Sequence, residues 1–414
     1  MLTLTALLAM GGAVGFVGEL QAYVDRPEPS FGWERRTLDG HEALRLTSQA
    51  WQGNLWKHDV VLIEPAKKTV EGSAIIEVTG WTPNQADYAL AQQMADASGM
   101  TVAVLFQIPN EPLWGYEEDA LIAHTFEEFL QTGDADWLLL FPMVKSVKAT
   151  MTALRQSSAG ALQTFIVTGA SKRGWTTWLC GALGDPWIVG IAPRAFDNLD
   201  FVAQLKKQID EWGEYSPMIR DYTDKGLQNL LGSDEGKRLV SLTDPLAYVD
   251  KINVPILVGT GTNDPFWTVD ASQVYWGKLP TRKWSIAVPN GAHEMDEPAR
   301  WAPTVGIFAR ACAMGRLLPT VTSRMSGDWT LDVDCTPGPI AYTVWKATAD
   351  DMHFDKTVWT GERKTLATTD SKRGISVTGN SMKTKNLAIL LELEFSTDTG
   401  ILKLTTPVYV VRKR

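Results

Sequence analysis

The arrangement of short apolar runs along the chain constrains its fold more than any other feature of the sequence. From about residue 60, these runs alternate with longer segments whose apolar residues have helical spacing, such as QADYALAQQMADASG at 85–99. The runs predicted as strands are VVLIEP (60–65), AIIEVTGW (74–81), TVAVLFQIP (101–109), TFIVTGA (164–170), IVGIAP (188–193), VPILVGTG (254–261) and WSIAVPN (284–290). Nearly continuous apolar strands separated by helices are typical of a parallel sheet covered on both faces. The sequence therefore predicts an α/β protein with a doubly wound, mostly parallel sheet.

Two regions depart from this alternation. Residues 199–250 lie between two predicted strands, contain several helical patches and are too long for an ordinary connection. We expect them to form a helical cap insertion over the carboxyl edge of the sheet. After Pro319 the pattern changes to short alternating runs separated by Gly, Thr, Asp and Pro, which predicts a small β-sandwich-like domain. The expected division is therefore a main domain over 19–318 and a β-rich domain over 319–414.

The first 17 residues carry no charged side chain and are mostly apolar or small. This stretch is short for a membrane span but suits the apolar region of a signal peptide, although no Lys or Arg precedes Arg26. We expect a signal peptide over residues 1–18 and a secreted or extracellular protein, periplasmic if the source is bacterial. An uncleaved anchor and a buried N-terminal segment are the alternatives.

Composition excludes some functions and leaves others open. The formal net charge of −9 argues against nucleic acid as a partner, because a nucleic-acid-binding protein needs a basic surface. The three cysteines have no metal-ligand spacing, and we expect no metal and no cofactor. If one disulfide forms, Cys312 and Cys335 are the expected pair; three reduced thiols, Cys180 included, are an equal alternative. The 17 tryptophans favour core packing over ligand platforms.

The strongest local motif is T-G-A-S-K-R-G-W at 168–175, which follows an apolar strand and precedes a helical pattern. A serine in a tight strand-to-helix turn is presented above a sheet as a nucleophile, and small neighbours let the strand and helix approach. Ser171 is the candidate nucleophile. The usual pattern is G-x-S-x-G, whereas here the second glycine comes one position late, at Gly174, and Arg173 takes the position that is normally small. The motif is therefore weak evidence when taken alone.

The order of the remaining candidates supports the serine. In α/β-hydrolases the nucleophile comes first, then an acid at a late strand end, then a histidine. Asp264 follows the strand at 254–261 in a turn-forming N-D-P context, and His293 follows the strand at 284–290. Of the five histidines, only His293 lies in the loop directly after the last predicted strand of the sheet. The sequence predicts a Ser171–Asp264–His293 triad, with Asp197, at the end of an earlier strand, as the alternative acid.

An oxyanion hole in this arrangement needs the backbone N–H of Lys172 and a second N–H from the loop after the strand at 74–81. Gly80 or Trp81 is the candidate for the second donor. The Lys172 and Arg173 side chains are predicted either to hold an acidic substrate group or to be solvated or paired with structural carboxylates.

The segment PNEPLWGYEEDA (109–120) leaves the carboxyl end of a strand, where ligands bind in open α/β sheets. We therefore expect it to line the pocket. Asn110, Glu111 and Trp114, together with Arg173, are the candidate substrate-binding residues. The charges of Glu111, Glu117 and Glu118 are expected to be solvated or to lie at a helix N-terminus.

Long, Trp-rich strings give the chain a family resemblance. They are LTSQAWQGNLWKHDVVLIEP (46–65), PNEPLWGYEEDALIAHTFEEFLQTGDADW (109–137), FPMVKSVKATMTAL (141–154), GASKRGWTTWL (169–179), KKQIDEWGEYSPMIRDYTDKGL (206–227) and TDPLAYVDKINVPILVGTGTNDPFWTVDASQVYW (243–276). In these strings the chain resembles the PhoPQ-activated pathogenicity-related proteins, which include the autocrine proliferation repressor proteins. The resemblance runs from about Glu19 to His293 and continues more weakly beyond.

The resemblance implies an α/β-hydrolase-like domain, usually exported, with a small C-terminal β domain. It also implies that Ser171, Asp264 and His293 occupy the triad positions of the family. This chain has N-G-A-H at 290–293 where the family usually has N-A-G-H, which shifts the flexible glycine of that loop. The serine loop also resembles that of glucuronoyl esterases, because a cation (Lys172) and then Gly174 follow the serine at the same spacing.

Three functions from different classes follow from these observations. The leading expectation is a secreted serine hydrolase that acts on a carboxylic ester, or less readily an amide, of a small molecule or carbohydrate. The second is a secreted signalling or binding protein that keeps the scaffold without turnover and acts through a receptor. The third is polysaccharide binding through exposed tryptophans of the cap or the β-rich domain.

Overall fold

The computed structural model describes residues 11–295, 298–326, 329–366, 372–378 and 384–413. Residues 1–10, which belong to the expected signal peptide, lie outside the described part. Within the described residues, the chain folds around one 14-stranded sheet and a second sheet of three strands.

The central sheet is built from the strands that the sequence predicts and from an N-terminal hairpin that it does not. Its first nine strands are β1 (Gly32–Leu38), β2 (His41–Trp51), β3 (Asn54–Ile63), β4 (Ser73–Val78), β5 (Thr101–Leu105), β6 (Thr164–Ala170), β7 (Ile188–Arg194), β8 (Ile256–Gly261) and β9 (Lys283–Val288). They lie in the order β1-β2-β3-β5-β4-β6-β7-β8-β9. Strands β4 to β9 are parallel to one another, whereas β1, β2 and β3 pair antiparallel at the edge.

Helices cover both faces of this sheet, as buried apolar strands require. The described helices are α1 (Gly11–Asp25), α2 (Gln85–Ser98), α3 (Glu118–Thr132), α4 (Leu140–Ser157), α5 (Lys172–Ala182), α6 (Phe201–Trp212), α7 (Arg220–Thr223), α8 (Asp234–Thr243) and α9 (Pro298–Ala313). One core packs α1, α3, α4 and α5 against the sheet, and the other packs α2 and α9 against its opposite face. Alternate residues of β5 enter the two cores, which shows that this strand is buried on both sides.

The cap lies where the sequence predicts it. Helices α6, α7 and α8, with short 3₁₀ turns between them, connect β7 to β8 over residues 201–251. Apolar side chains of this insertion, such as Leu227 and Leu239, are buried in the same core as α3 and α5. The cap is therefore packed onto the main body of the molecule. This confirms the predicted α/β-hydrolase-like architecture with its helical insertion.

The C-terminal strands extend the central sheet and add a second layer. They are β10 (Thr320–Ser326), β11 (Thr330–Thr336), β12 (Ala341–Ala349), β13 (Thr360–Thr365), β14 (Arg373–Thr378), β15 (Asn386–Ser396), β16 (Ile401–Thr405) and β17 (Tyr409–Val411). Strand β16 pairs with β9 through Thr405 and Ser285, so the order continues as β9-β16-β15-β12-β13, with β17 on β15. Strands β10, β11 and β14 form the separate three-stranded sheet, and residues of both layers belong to one core with α9.

Helix α1 ends against the body of the protein. Leu20, Tyr23 and Val24 are buried, and the carboxylate of Glu19 pairs with Arg238 of α8 at 2.8 Å. Among the described residues, we find no helix with the length and apolar character needed to cross a membrane.

The cysteines and tryptophans occupy mainly the interior. All three cysteines are free thiols, so the suggested Cys312–Cys335 disulfide is not formed. The reason is that Cys312 packs against Gly190 of β7, whereas Cys335 is buried in β11. The exposed tryptophans are Trp81 and Trp114, and neither lies in the cap or the C-terminal strands. This corrects the expectation of an exposed tryptophan platform in those regions.

Candidate active site

Ser171 occupies a strained turn between β6 and α5. Its backbone angles are φ 56° and ψ −127°, a combination that costs energy for a residue with a Cβ. Its N–H donates to the carbonyl oxygen of Arg194 at 3.1 Å, and its own carbonyl accepts from the N–H of Trp175 at 2.9 Å. The sheet and the first turn of α5 therefore fix this strained backbone, as in the nucleophile turn of α/β-hydrolases.

The late glycine of the motif has a packing reason. A Cβ on Gly174 would lie 2.4 Å from the carbonyl oxygen of Arg194, and one on Gly169 would lie 3.0 Å from that of Val78. Both glycines thus let α5 approach the sheet. Because position 174 makes the close approach, position 173 is free to carry the large side chain of Arg173.

His293 and Asp264 meet at the ends of β8 and β9. Nδ1 of His293 lies 2.7 Å from Oδ2 of Asp264, and the other carboxylate oxygen accepts from the N–H of Phe266 at 2.9 Å. The rings of Phe266 and His293 stack with centroids 4.1 Å apart. Burial lowers the pKa of His293, but Asp264 and the nearby charges of Glu294 and Asp119 outweigh it, so the pKa is raised overall. This pairing fixes the ring and leaves Nε2, which is buried, without a partner among the described residues.

The two loops that carry this pair are tied to each other. The N–H of Asn263 donates to the carbonyl oxygen of Gly291 at 2.8 Å, and the N–H of Asn290 donates to the hydroxyl of Thr262 at 2.9 Å. Gly261 permits this contact, because a Cβ there would lie 2.2 Å from the carbonyl oxygen of Ala292. The rearranged N-G-A-H loop still delivers His293 to Asp264.

A segment of the C-terminal region holds the same loops from outside. This clamp segment (355–359) is the second half of the connection between β12 and β13. The side-chain amide of Asn263 donates to the carbonyl oxygens of Asp355 and Thr357 at 3.1 and 2.6 Å. The side chain of Asn290 donates to the carbonyl oxygen of Trp359 at 3.1 Å and accepts from its N–H at 2.7 Å. The clamp segment therefore contacts both of the loops that carry the histidine–carboxylate pair.

Asp197, the alternative acid, has another partner. Its carboxyl accepts a hydrogen bond from the hydroxyl of Tyr275, and burial raises its pKa to about 7. The geometry therefore brings Asp264, and not Asp197, to His293.

Ser171 and His293 line one cavity of about 110 Å³ between the sheet and the cap. Lys172 and Asp119 are also in its wall, and Asp119 accepts from the hydroxyl of Tyr222 of α7 at 3.3 Å. Burial raises the pKa of Asp119 to about 6, opposed by the positive charge that His293 can carry. Burial, and next the positive charge of Arg173, lower the pKa of Lys172 to about 6.

The candidate substrate-binding residues make other contacts. Arg173 is buried: its Nε donates to the carbonyl oxygen of Ile108 at 2.5 Å, and its guanidinium pairs with Glu111 at 3.2 Å and Glu118 at 3.1 Å. Arg173 and Glu111 are not part of the cavity wall. Glu111, with 12% of its side chain exposed, is thus a largely buried partner and not a solvated charge, which corrects the expectation for that residue. Of the roles expected for Arg173, the structure shows pairing with structural carboxylates.

Asn110 and Trp114 also lie away from this cavity. The side-chain oxygen of Asn110 accepts from the N–H of Lys57 at 2.8 Å, and its amide donates to the carbonyl oxygen of the same residue at 2.9 Å. Trp114, 44% exposed, packs against Trp51 and Trp137 with centroids 5.6 Å away. Asn110 therefore joins its loop to β3, whereas Trp114 packs against β2 and the turn at 135–137.

Of the oxyanion candidates, the structure places one beside the serine. Lys172 is the first residue of α5, so its N–H has no acceptor within the helix. Gly80 and Trp81 are not in the cavity wall, and Trp81 is 60% exposed. Gly80 packs on the guanidinium of Arg173, where a Cβ would lie 1.6 Å from a terminal nitrogen.

Sequence reasoning missed Asp119 and the aromatic wall of the cavity. Asp119 follows two glutamates at the start of α3, where it was indistinguishable from a helix N-terminal charge. Of the aromatic wall, Trp175 ends the serine motif and Phe266 follows Asp264 by two residues, so these two had a local signal.

The fold and this pair of loops define a class, the α/β-hydrolases. Among solved structures, acetyl xylan esterase 1 from Thermoanaerobacterium is similar with a TM-score of 0.53 and 16% identity, over 72% of this chain and 93% of that one. Est1E from Butyrivibrio proteoclasticus has a TM-score of 0.41 and 14% identity, over 69% of this chain and 100% of that one. At 16% identity, the similarity to acetyl xylan esterase 1 supports the fold alone.

Within that class, the chain belongs to the PhoPQ-activated pathogenicity-related protein family, whose model matches residues 20–355. A curated relative is autocrine proliferation repressor protein A of Dictyostelium discoideum. It is 30% identical over 374 residues, which cover 83% of this chain and 74% of that protein. These findings confirm the family resemblance of the sequence.

Proposed function

We propose that the protein is a serine hydrolase that cleaves carboxylic esters through Ser171, His293 and Asp264. The observation that carries this proposal is the strained backbone of Ser171 in a cavity that it shares with a histidine held by a carboxylate. That combination supplies a nucleophile, a base and a group that orients the base.

In the proposed reaction, Nε2 of His293 takes the hydroxyl proton as Oγ of Ser171 attacks the ester carbonyl carbon. The negative charge that forms on the carbonyl oxygen is stabilised by the N–H of Lys172. Collapse of this intermediate breaks the bond to the alcohol, which leaves with the proton from His293. Water then attacks the acyl carbon and gives one proton to His293. The bond to Oγ of Ser171 breaks, Oγ takes that proton from His293, and the acid is released. Asp264 holds the Nδ1 proton and stabilises the charged ring throughout.

We also propose that the protein is exported and loses residues 1–18. Support comes from the uncharged, apolar N-terminal stretch. The ion pair between Glu19 and Arg238 would survive cleavage, because Glu19 would become the first residue. N-terminal sequencing of protein from the medium or periplasm tests this, and an intact Met1 in exported protein would contradict it.

A second candidate function is signalling or binding without turnover. It is favoured by the name of the curated relative, a repressor of proliferation. Under this alternative, Ser171→Ala would leave the biological response unchanged.

Hydrolysis of 4-nitrophenyl butyrate by purified protein tests the proposal. Ser171→Ala and His293→Ala should each lower kcat by a factor on the order of 10⁴ or more, and Asp264→Asn by a similar factor. Asp197→Asn is the matched control, since it changes the same kind of residue at a neighbouring strand end, and it should keep most of the activity. Equal losses in the two asparagine variants would contradict the assignment of Asp264.

A further inference from the structure

The wall of the cavity beside Ser171 is mostly aromatic and aliphatic. Trp175 of α5 is the centre of an aromatic cluster, with its ring 4.8 Å from Phe196, 5.3 Å from Phe201 and 6.0 Å from Phe126, measured between centroids. All four rings line the cavity, and the cap adds apolar side chains such as Leu205 of α6. An apolar part of a substrate is removed from water here and gains contacts with the rings.

The cations next to the nucleophile are already paired. Lys172 forms an ion pair with Glu118, and Arg173 pairs with Glu118 and Glu111. Neither is left to hold an anionic substrate. The wall itself contributes one more carboxyl, that of Asp119, which lies close enough to His293 for their charges to interact.

The charges around the site therefore sum to a negative field. Even when Lys172 is charged, it and Arg173 are two cations against the three carboxylates of Glu111, Glu118 and Asp119. Above the pKa of about 6 of Lys172, only Arg173 of these two keeps its full charge, and the charges of Asp221 and Glu294 also act on Lys172. A carboxylate on the substrate would enter a poorly solvated cavity in which negative groups outnumber positive ones. Placing like charges close together is strongly unfavourable where the dielectric constant is low.

The volume limits the size of the bound group. At about 110 Å³, the cavity is smaller than a cavity of about 150 Å³ that takes up one benzene ring. It suits a short alkyl chain and is too small for a benzene ring or a sugar chain.

On the basis of the proposed hydrolase function, we propose that this cavity selects neutral esters whose acid part is a short alkyl chain, and that Asp119 excludes acid parts that carry a negative charge. This differs from the carbohydrate carboxylic esters that the serine loop suggests, because the two cations that would hold such a substrate are bound by glutamates.

The charge part of the proposal is tested with two esters of equal chain length, 4-nitrophenyl hexanoate and mono-4-nitrophenyl adipate. They share the leaving group and differ at the end of the acid, which is a methyl in one and a carboxylate in the other. At pH 8, above the pKa of about 6 of Asp119, we expect kcat/KM to favour the hexanoate by about tenfold or more. Asp119→Asn keeps an acceptor for the Tyr222 hydroxyl and should reduce this preference about tenfold.

Glu128→Gln is the matched control for charge. Glu128 lies on the same helix, α3, outside the cavity wall, and its replacement should leave the preference unchanged. An equal kcat/KM for the two esters, or a preference that Asp119→Asn and Glu128→Gln alter equally, would overturn the role of Asp119.

The size part is tested on helix α6. Leu205→Trp should fill the cavity and lower kcat/KM for 4-nitrophenyl hexanoate about tenfold relative to 4-nitrophenyl acetate. Leu205→Phe is the milder change if the first variant does not fold. Val202→Trp is the matched control, because Val202 lies on the same helix, is 56% exposed and is not in the wall. Identical ester preferences in the Leu205 and Val202 variants would overturn the assignment of the cavity.

These outcomes separate the substrate class from the hydrolase function. Wild-type protein that is labelled at Ser171 by a fluorophosphonate but prefers the adipate overturns the substrate class alone. Wild-type protein that is neither labelled nor able to hydrolyse any of the esters overturns the hydrolase function, and the substrate class with it.

Discussion

Replacement of Asn290 by glycine tests whether the C-terminal strands hold the histidine loop in position. Asn290 has φ 63°, which glycine adopts freely, so Asn290→Gly removes the side chain without backbone strain. The change deletes the two hydrogen bonds to the backbone of Trp359, at 3.1 and 2.7 Å. Trp359 is 2% exposed, so its N–H and carbonyl would lose their partners in a poorly solvated place.

The expected magnitude follows from those two bonds. At about 1 kcal/mol each, their loss should lower the free energy of unfolding by about 2 kcal/mol. Asn290 is three residues before His293, so the histidine loop should also move. A displacement on the order of 1 Å in such a loop can cost about 10²-fold in rate. We therefore expect the rate of phosphonylation of Ser171 to fall by about tenfold to a hundredfold.

The assay combines urea unfolding with the rate of labelling by a fluorophosphonate. Asn290→Asp keeps the oxygen that accepts from Trp359 but cannot donate, so its losses should be intermediate. Asn253→Gly is the control, since its side chain is exposed and bonds only within its own loop, to the carbonyl oxygen of Lys251. If Asn290→Gly loses about 2 kcal/mol of stability but labels at the wild-type rate, the segment stabilises the fold and does not position the site.

Three further predictions concern the site and its supports. First, kcat/KM should fall as the pH is lowered through the pKa of His293, because only the neutral ring accepts a proton. Since this pKa is raised above its ordinary value of 6.5, the midpoint should lie above 6.5, and Asp264→Asn should move it down. Second, Arg173→Met should lower the free energy of unfolding by about 3–5 kcal/mol, because a buried glutamate loses its cation. Third, Gly174→Ala should cost about 1–3 kcal/mol and slow labelling, because the new Cβ would meet backbone of β7.

The arginine and glycine predictions each have a matched control, and all three have an outcome that would contradict them. Arg35→Met breaks an exposed pair with Glu42 and should cost no more than about 1 kcal/mol. Gly277→Ala adds a Cβ where no atom lies within 4 Å and should be neutral. A pH midpoint that Asp264→Asn leaves unchanged, or arginine and glycine variants no worse than their controls, would contradict the corresponding argument.

Local features of the sequence were sufficient for the sheet and for the order of the candidate triad. The run TFIVTGA became β6 without a shift in its bounds, because an apolar strand with a glycine at its end needs no distant partner to be recognised. His293 and Asp264 were found for a similar reason: each follows a strand whose pattern is clear, and parallel strands bring their carboxyl ends to one edge.

Features that depend on distant contacts were not predictable. Arg173 and Glu111 are 62 residues apart, and nothing near either residue indicates a buried pair. Strand β16 lies beside β9 over a separation of 120 residues, between Ser285 and Thr405, which the alternating pattern of the C-terminal region does not specify. Asp119 lines the cavity together with Tyr222 of the cap, its hydrogen-bond partner 103 residues later in the chain.

The most direct test of the account is the reaction of the purified protein with a fluorophosphonate, followed by peptide mapping. The account predicts one labelled residue, Ser171, with labelling that is lost in Ser171→Ala and strongly slowed in His293→Ala and Asp264→Asn. Folded wild-type protein that remains unlabelled under conditions that label a control esterase would contradict it, and so would equal labelling of the His293→Ala variant.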